Sequence, residues 1–292
     1  MWFFWALSAS LFAAILAESN RVFRMEPQLL NAWRASFAAL LIGMAFPLMA
    51  WPAFSGARDF YIVGGVDGII EAFGMMLFLS LAARRTGRVT SMILPMAAIA
   101  AYATWWLIVP EERPVLLEKP VQVITAVFSL FAILLSLQKI RRNDNSWSGF
   151  LIVLPVGLAF GISDALTKWV LNENGAGYGI AIAYSFLSIC VCAVIAWAMA
   201  LPIPSGGRKI TFFDRKLIWC GFWCGFWTAG MYLALTFSLS SAPHPTYPGI
   251  IMALTPVWLY LYNQFRSQPD EASPVAGLIM ILGAIGLLLS TL

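Results

Sequence analysis

Ten apolar segments, each about as long as a helix that crosses ~30 Å of hydrocarbon, fill almost the whole chain. They lie at residues 2–20, 28–50, 60–83, 89–109, 121–138, 149–171, 178–200, 217–240, 248–264 and 274–291. Hydrocarbon offers no hydrogen-bond partners, so a spanning backbone must satisfy itself as a helix or a closed barrel. Strand-like alternation is absent from these segments, which leaves helices. With 61% hydrophobic and 11% charged residues, against about 25% charged in soluble domains, the chain has more apolar surface than a water-soluble core can absorb. The expected fold is therefore an all-α integral membrane protein of ten transmembrane helices, joined by connections too short to hide an extramembrane domain.

The first segment begins at Trp2 without a basic leader or a small-residue cleavage site, and it reads as a retained span. Thirteen of the 18 Lys and Arg residues fall in the loops after spans one, three, five, seven and nine. Only Arg58, Arg113 and Lys119 lie on the opposite side. The bias toward one side predicts a multi-pass protein of the cytoplasmic (inner) membrane with both termini non-cytoplasmic. It also explains the net charge of +4 without a nucleic-acid partner.

Two halves of the chain resemble each other. GMMLFLSLA at 74–82 matches GMYLALTFS at 230–238, and the next spans carry MILPMAAIAAYATWW around Pro95 and IMALTPVWLYLYNQF around Pro256. The copies are residues 1–147 and 148–292, each with five spans. Five is odd, so the second copy enters the bilayer from the opposite side. Inverted repeats of this kind are the layout of many secondary transporters, whose sites lie near mid-membrane where the copies meet. Pro95 and Pro256, at matched places, read as helix breaks that serve as hinges.

Pro27, Asn31 and Arg34 in an Ala/Leu-rich second span resemble the start of an EamA-type repeat of the drug/metabolite transporter superfamily. The stretch from Ala234 through SSAPHPTYPGIIMALTPVWL, followed by a last span with Gly277, Gly283 and Gly286, resembles the end of the second repeat. The Gly-Glu pair that many such repeats carry before their fifth helix is missing; the loops read PEERP at 110–114 and QPDEASP at 268–274. The resemblance implies a ten-helix exporter or exchanger of a small metabolite or drug-like molecule, working by alternating access. Many relatives are drawn with cytoplasmic termini, the reverse of the charge bias here.

Ionisable side chains inside spans cost about 2.5–3.5 kcal/mol each at mid-bilayer on insertion scales, so each needs a partner, a proton or a cavity. Glu18, Arg34, Asp67, Glu71, Asp164 and Lys168 are the six. Glu71 sits mid-span with Asp67 one turn before it; two carboxylates so close repel when both are ionised, so one can hold a proton. Glu71 is the candidate for coupling or recognition, with a structural salt bridge to Arg34 as the alternative. Arg34 can clamp a substrate carboxylate or pair internally, and Asn31 can extend either arrangement. Asp164 and Lys168 have the spacing and order of a helical ion pair. Glu18 holds the related place in the first copy, either beside a central cavity or at the headgroup level.

Trp219, Trp223 and Trp227 form a stripe in span eight, with Gly221 and Gly225 as a small-residue surface for helix packing. Trp227 is level with Glu71 by repeat alignment, so it either lines an aromatic seat for a cation or packs against a neighbour or lipid. Tyr232 and Tyr102 are further candidates for a cavity wall, with Trp105 and Tyr184 beside them. The four cysteines, Cys190, Cys192, Cys220 and Cys224, lack accompanying metal ligands and read as small hydrophobes. His244 is the single histidine and no hydrolase, P-loop or dinucleotide motif is present. These observations predict no enzyme, no cofactor and no metal. They point to a carrier of a small molecule, with or without protons, for which a monomer suffices although a dimer is compatible. The alternatives are an uncoupled facilitator and a lipid-flipping or lipid-modifying protein.

Overall fold

The computed structural model describes residues 1–84, 93–111, 120–121, 123–125, 127–128, 131–132, 147–201, 212–265, 278–279, 281–283 and 285. The described helices are α1 (Trp2–Phe23), α2 (Pro27–Gly43), α3 (Arg58–Arg84), α4 (Ile93–Ile108), α5 (Trp147–Glu173), α6 (Tyr178–Ala200), α7 (Arg215–Ser241), α8 (Thr246–Met252) and α9 (Thr255–Phe265). Shorter helical stretches lie between 120 and 132 and between 278 and 285, and no strand occurs among the described residues.

Five described segments are long and apolar enough to cross a bilayer: Trp2–Ser19, Arg58–Ser80, Leu154–Glu173, Tyr178–Ala200 and Arg215–Ser241. Met96–Ile108 is a shorter apolar helix. Polarity is distributed as it must be in lipid. Leu40, Phe73, Leu158 and Val194 are exposed on the outside, while Asn31, Arg34, Asp67, Glu71 and Lys168 are buried. The chain is an α-helical membrane protein.

Local chemistry sets the helix ends. Pro27 starts α2 at a position where its missing N–H costs nothing, and the Asp214 carboxylate accepts from the Lys216 amide to cap α7. Two spans differ from the sequence expectation. The helix expected over 28–50 ends at Gly43 and is followed by a 3-10 turn at Phe46–Leu48. The span expected over 248–264 is broken into α8 and α9 at Ala253–Leu254. Pro256, second in α9, cannot donate to the Met252 carbonyl and its ring would crowd it. The Thr255 hydroxyl takes over that carbonyl at 2.7 Å. Pro95 lies within α4, and the residues just before Ile93 are outside the described residues.

α2 packs chiefly on α7 and α6, α3 on α6 and α5, α4 on α5, and α1 on α7, α8 and α9. Glycine permits the closest of these approaches. A Cβ on Gly68 of α3 would lie 2.3 Å from the Ser188 carbonyl oxygen of α6, and one on Gly225 of α7 would lie 2.8 Å from the Arg34 carbonyl oxygen of α2. Neither distance is attainable, so backbone contact there requires a residue without a side chain.

Candidate functional site

Arg34 is completely buried, on α2 where that helix meets α3 and α7. Its Nη1 donates to Glu71 Oε1 at 3.2 Å and to Thr228 Oγ1 at 3.1 Å, and its Nε donates to Asn31 Oδ1 at 3.0 Å. Nη2 lies 3.6 Å from Cys192 Sγ. Asn31 is anchored in turn, its amide donating to the Ala72 carbonyl at 2.9 Å. The guanidinium, which has no acceptor of its own and must find several, is satisfied by groups from α2, α3, α6 and α7. Of the two sequence expectations for Arg34, this is internal pairing with Glu71.

One turn before Glu71, Asp67 is surrounded by hydroxyls. Ser163 of α5 and Tyr232 of α7 both donate to it, as does Ser188 of α6 at 2.8 Å. A carboxylate accepts at two oxygens with several lone pairs, so three hydroxyls from three helices solvate it as water would. Asp67 and Glu71 therefore have separate surroundings despite sharing a helix face.

Both open on one side into a cavity at the middle of the bundle. Ala13 and Leu16 face it from α1, Met75 and Phe78 from α3, and Asp164 and Thr167 from α5. Leu94 and Ala97 of α4, Tyr184 of α6, Tyr232 and Thr236 of α7, and Met252 and Thr255 at the α8–α9 break also line it. The space open to the centres of water-sized molecules is ≈ 110 Å³. At roughly 10–15 Å³ per water on that measure, it holds about eight waters or a ligand with a similar number of heavy atoms.

Several candidates fall elsewhere. The expected Asp164–Lys168 ion pair does not form. Lys168 Nζ donates to the carbonyls of Leu239 at 3.1 Å and Ala242 at 2.7 Å and lies 5.8 Å from the centre of the Trp105 ring. Those carbonyls belong to the end of α7, where four acceptors lack helical donors, so an ammonium placed there caps the helix. Asp164 is left facing the cavity. Glu18 is half-buried near the end of α1 and does not line the cavity; the residues of α1 that face it, beside Asp164 and Thr167, are Ala13 and Leu16.

Trp227 does not shape the pocket. It is half-buried against Phe12, Trp223 and Phe226, with no hydrogen bond to its indole nitrogen, and Trp219 and Trp223 are exposed on the outside of α7. Helix rotation is the reason: Tyr232 and Thr236 take the cavity face of α7, and the stripe at 219, 223 and 227 turns away from it. Tyr102 also lies off the cavity wall, stacking on Trp106 and tilted against His244. His244, in the connection between α7 and α8, is packed among Tyr102, Trp105 and Tyr247. Burial, then the nearby Lys168, pushes its pKa down to about 3, so it stays neutral. Among the described residues no group of His, Cys, Asp and Glu is arranged to hold a metal ion.

Ser163, Ser188 and Thr228, which complete the two polar clusters, were not among the sequence candidates. Ser163 adjoins Asp164, but a hydroxyl inside a span gives no signal of its own, because it can bond its own helix carbonyl. What marks these three is the partner each meets across a helix interface.

No protein-family model matches the chain and no curated protein matches it. Among 23 matching chains of known structure, one crystal structure of a protein described without an activity aligns over 99% of this chain and 98% of its own, with a TM-score of 0.65 and 14% sequence identity. At that identity the likeness is one of fold.

Proposed function

We propose that this chain is a secondary transporter that moves a small molecule across the inner membrane by alternating access, with ten spans arranged as two inverted five-helix repeats of the EamA type. The observation that carries the reading is the mixed polar and apolar cavity, walled by helices from both halves of the chain. Sites between repeats are where carriers of this layout bind their solutes.

The helix packing supports the repeat. α2 lies on α7 as α6 lies on α3, α1 on α7 as α5 on α3, and α1 on α8 and α9 as α5 on α4. Each pair is what exchanging residues 1–147 with 148–292 produces. Gly64 and Gly68 of α3 press on α6, and Gly221 and Gly225 press on α2 in the same way. The broken helix at Ala253–Leu254 borders the cavity, where irregular backbone is tolerated and can flex. Coupling through Glu71 is not favoured by its surroundings, since Arg34 already holds it. Asp164 is the better placed carboxylate.

Alternating access is testable before any substrate is known. A single cysteine at Ala13, in a background lacking the four native cysteines, is placed in sealed proteoliposomes and exposed to a membrane-impermeant maleimide on one side at a time. A carrier labels from either side while the vesicles remain tight to the reagent. Labelling from one side only, or from neither, overturns the transporter reading and turns attention to a lipid-directed or static role.

A further inference from the structure

We infer that the cavity takes a small organic cation, an amine of about the size of its eight-water volume, and that Asp164 is the residue that selects for the positive charge. This rests on the transporter reading and adds the substrate class to it.

The inference comes from hydrogen-bond accounting around the wall. Among the described residues three carboxylates, Asp67, Glu71 and Asp164, face the cavity. Arg34 neutralises Glu71 and directs four of its five N–H donors to protein groups, and it does not itself line the space. The Lys168 ammonium is turned to the end of α7. Asp67 is solvated by three hydroxyls. Asp164 has neither a hydrogen bond nor an ion pair among the described residues, and it is the one acid on the wall in that condition.

Donors are scarce for the same reason. The Tyr232 hydroxyl is committed to Asp67, Thr236 donates to the Tyr232 carbonyl at 2.8 Å and Thr255 donates to the Met252 carbonyl at 2.7 Å. Thr167 and Tyr184 bond each other at 2.7 Å. At most one hydroxyl proton of these five side chains is left for a ligand, while Asp164 offers two empty acceptors. Among the described residues an anion would meet three carboxylates and at most one donor, and a sugar would find acceptors with almost no donors. An ammonium group supplies what is missing, since it brings only donors and the opposite charge.

The rest of the wall argues for an organic ion over a bare metal cation. Alkali and alkaline-earth ions need six or so oxygens converging on one point. Here Met75, Phe78, Phe160 and Met231 are also in the wall, supplying thioethers and aromatic rings that suit a hydrocarbon body and the skirt of an ammonium.

The test uses three probes of nearly one shape: phenethylamine, 2-phenylethanol and 3-phenylpropionate, added at pH 7 to purified protein while binding is followed by calorimetry and by thermal melting. Phenethylamine should bind and raise the melting temperature, with the alcohol and the acid bound at least about tenfold more weakly, as expected for loss of a charge-assisted contact. Asp164→Asn should lose about tenfold or more for the amine while leaving the melting temperature of the ligand-free protein unchanged or higher. Leu235→Trp, which adds bulk at a wall position that is not a carboxylate, should abolish amine binding and serves if the Asn variant does not fold. Binding of the acid or alcohol as well as the amine, unchanged amine affinity in Asp164→Asn, or no binding of any probe overturns the inference. None of these results bears on two-sided labelling at Ala13, so the two readings fail separately.

Discussion

Arg34 and Glu71 show how a membrane bundle keeps a full charge in its centre. The pair sits on neighbouring helices with side-chain exposures of 0% and 5%, and the guanidinium is completed by Asn31 and Thr228. Removing one partner strands the other without water, which for a buried pair costs about 3–5 kcal/mol; replacing both by apolar residues of similar size is often neutral. Arg34→Met and Glu71→Met alone are expected to lower the melting temperature of the detergent-solubilised protein sharply. The double variant should recover most of the loss. A double variant as unstable as either single one would mean that the surrounding Asn31 and Thr228 contacts, and not the ion pair, carry the site. Asp164 sits in the opposite condition, with no partner to strand, so its removal should cost binding and not folding.

At the level of helices, packing is governed by where side chains are missing. On α3, Gly65 and Gly68 lie within one turn of each other but differ in what surrounds them. A Cβ on Gly65 would meet nothing within 4 Å, while one on Gly68 would lie 2.3 Å from the Ser188 carbonyl oxygen. Gly65→Ala should hold or raise the melting temperature, since alanine is the better helix former by about 1 kcal/mol. Gly68→Ala must push α3 from α6 and should lower it. The same displacement would draw Ser188 away from Asp67, so Gly68→Ala should also weaken ligand binding in the cavity without changing any residue that lines it. Equal melting temperatures for the two variants would show that α3 and α6 adjust freely, contrary to the close packing seen.

For the whole molecule, the decisive quantity is orientation in the bilayer. Helix packing is unchanged by turning the bundle over, so it is silent on which face is cytoplasmic. The Lys and Arg distribution is not: it favours non-cytoplasmic termini. An alkaline phosphatase domain fused after Leu292 should be active in intact cells, since it works only outside the cytoplasm, and a fluorescent protein that matures in the cytoplasm should stay dark there. The reverse pattern would show that this chain is inserted against its charge bias. If the chain is the carrier proposed above, the matched packing of its halves relates the outward- and inward-facing states by a two-fold rotation, with α4 against α5 exchanging roles with α8 and α9 against α1.

The sequence by itself determined the class of fold, because a chain this apolar belongs in lipid and its long segments without strand alternation leave helices over a closed barrel. It also gave the internal charges, since a charged residue within an apolar span is conspicuous in one dimension. Asn31, Arg34, Asp67, Glu71, Asp164 and Tyr232 could all be picked out as letters. Which of them meet was decided only by tertiary structure. Spacing of four suggested that Asp164 and Lys168 pair, but the carbonyls at the end of α7 lie closer to the ammonium, and they come from residues 71 and 74 positions away in the chain. Repeat alignment set Trp227 level with Glu71, but depth along a helix does not fix rotation about it, and the indole faces away from the cavity. Ser163, Ser188 and Thr228 carry no mark in the sequence, because a hydroxyl becomes part of a site only through the group another helix brings to it. Patterns along one chain report the environment each span must enter, whereas the pairing of buried polar groups depends on distances between spans, which exist only after the helices have packed.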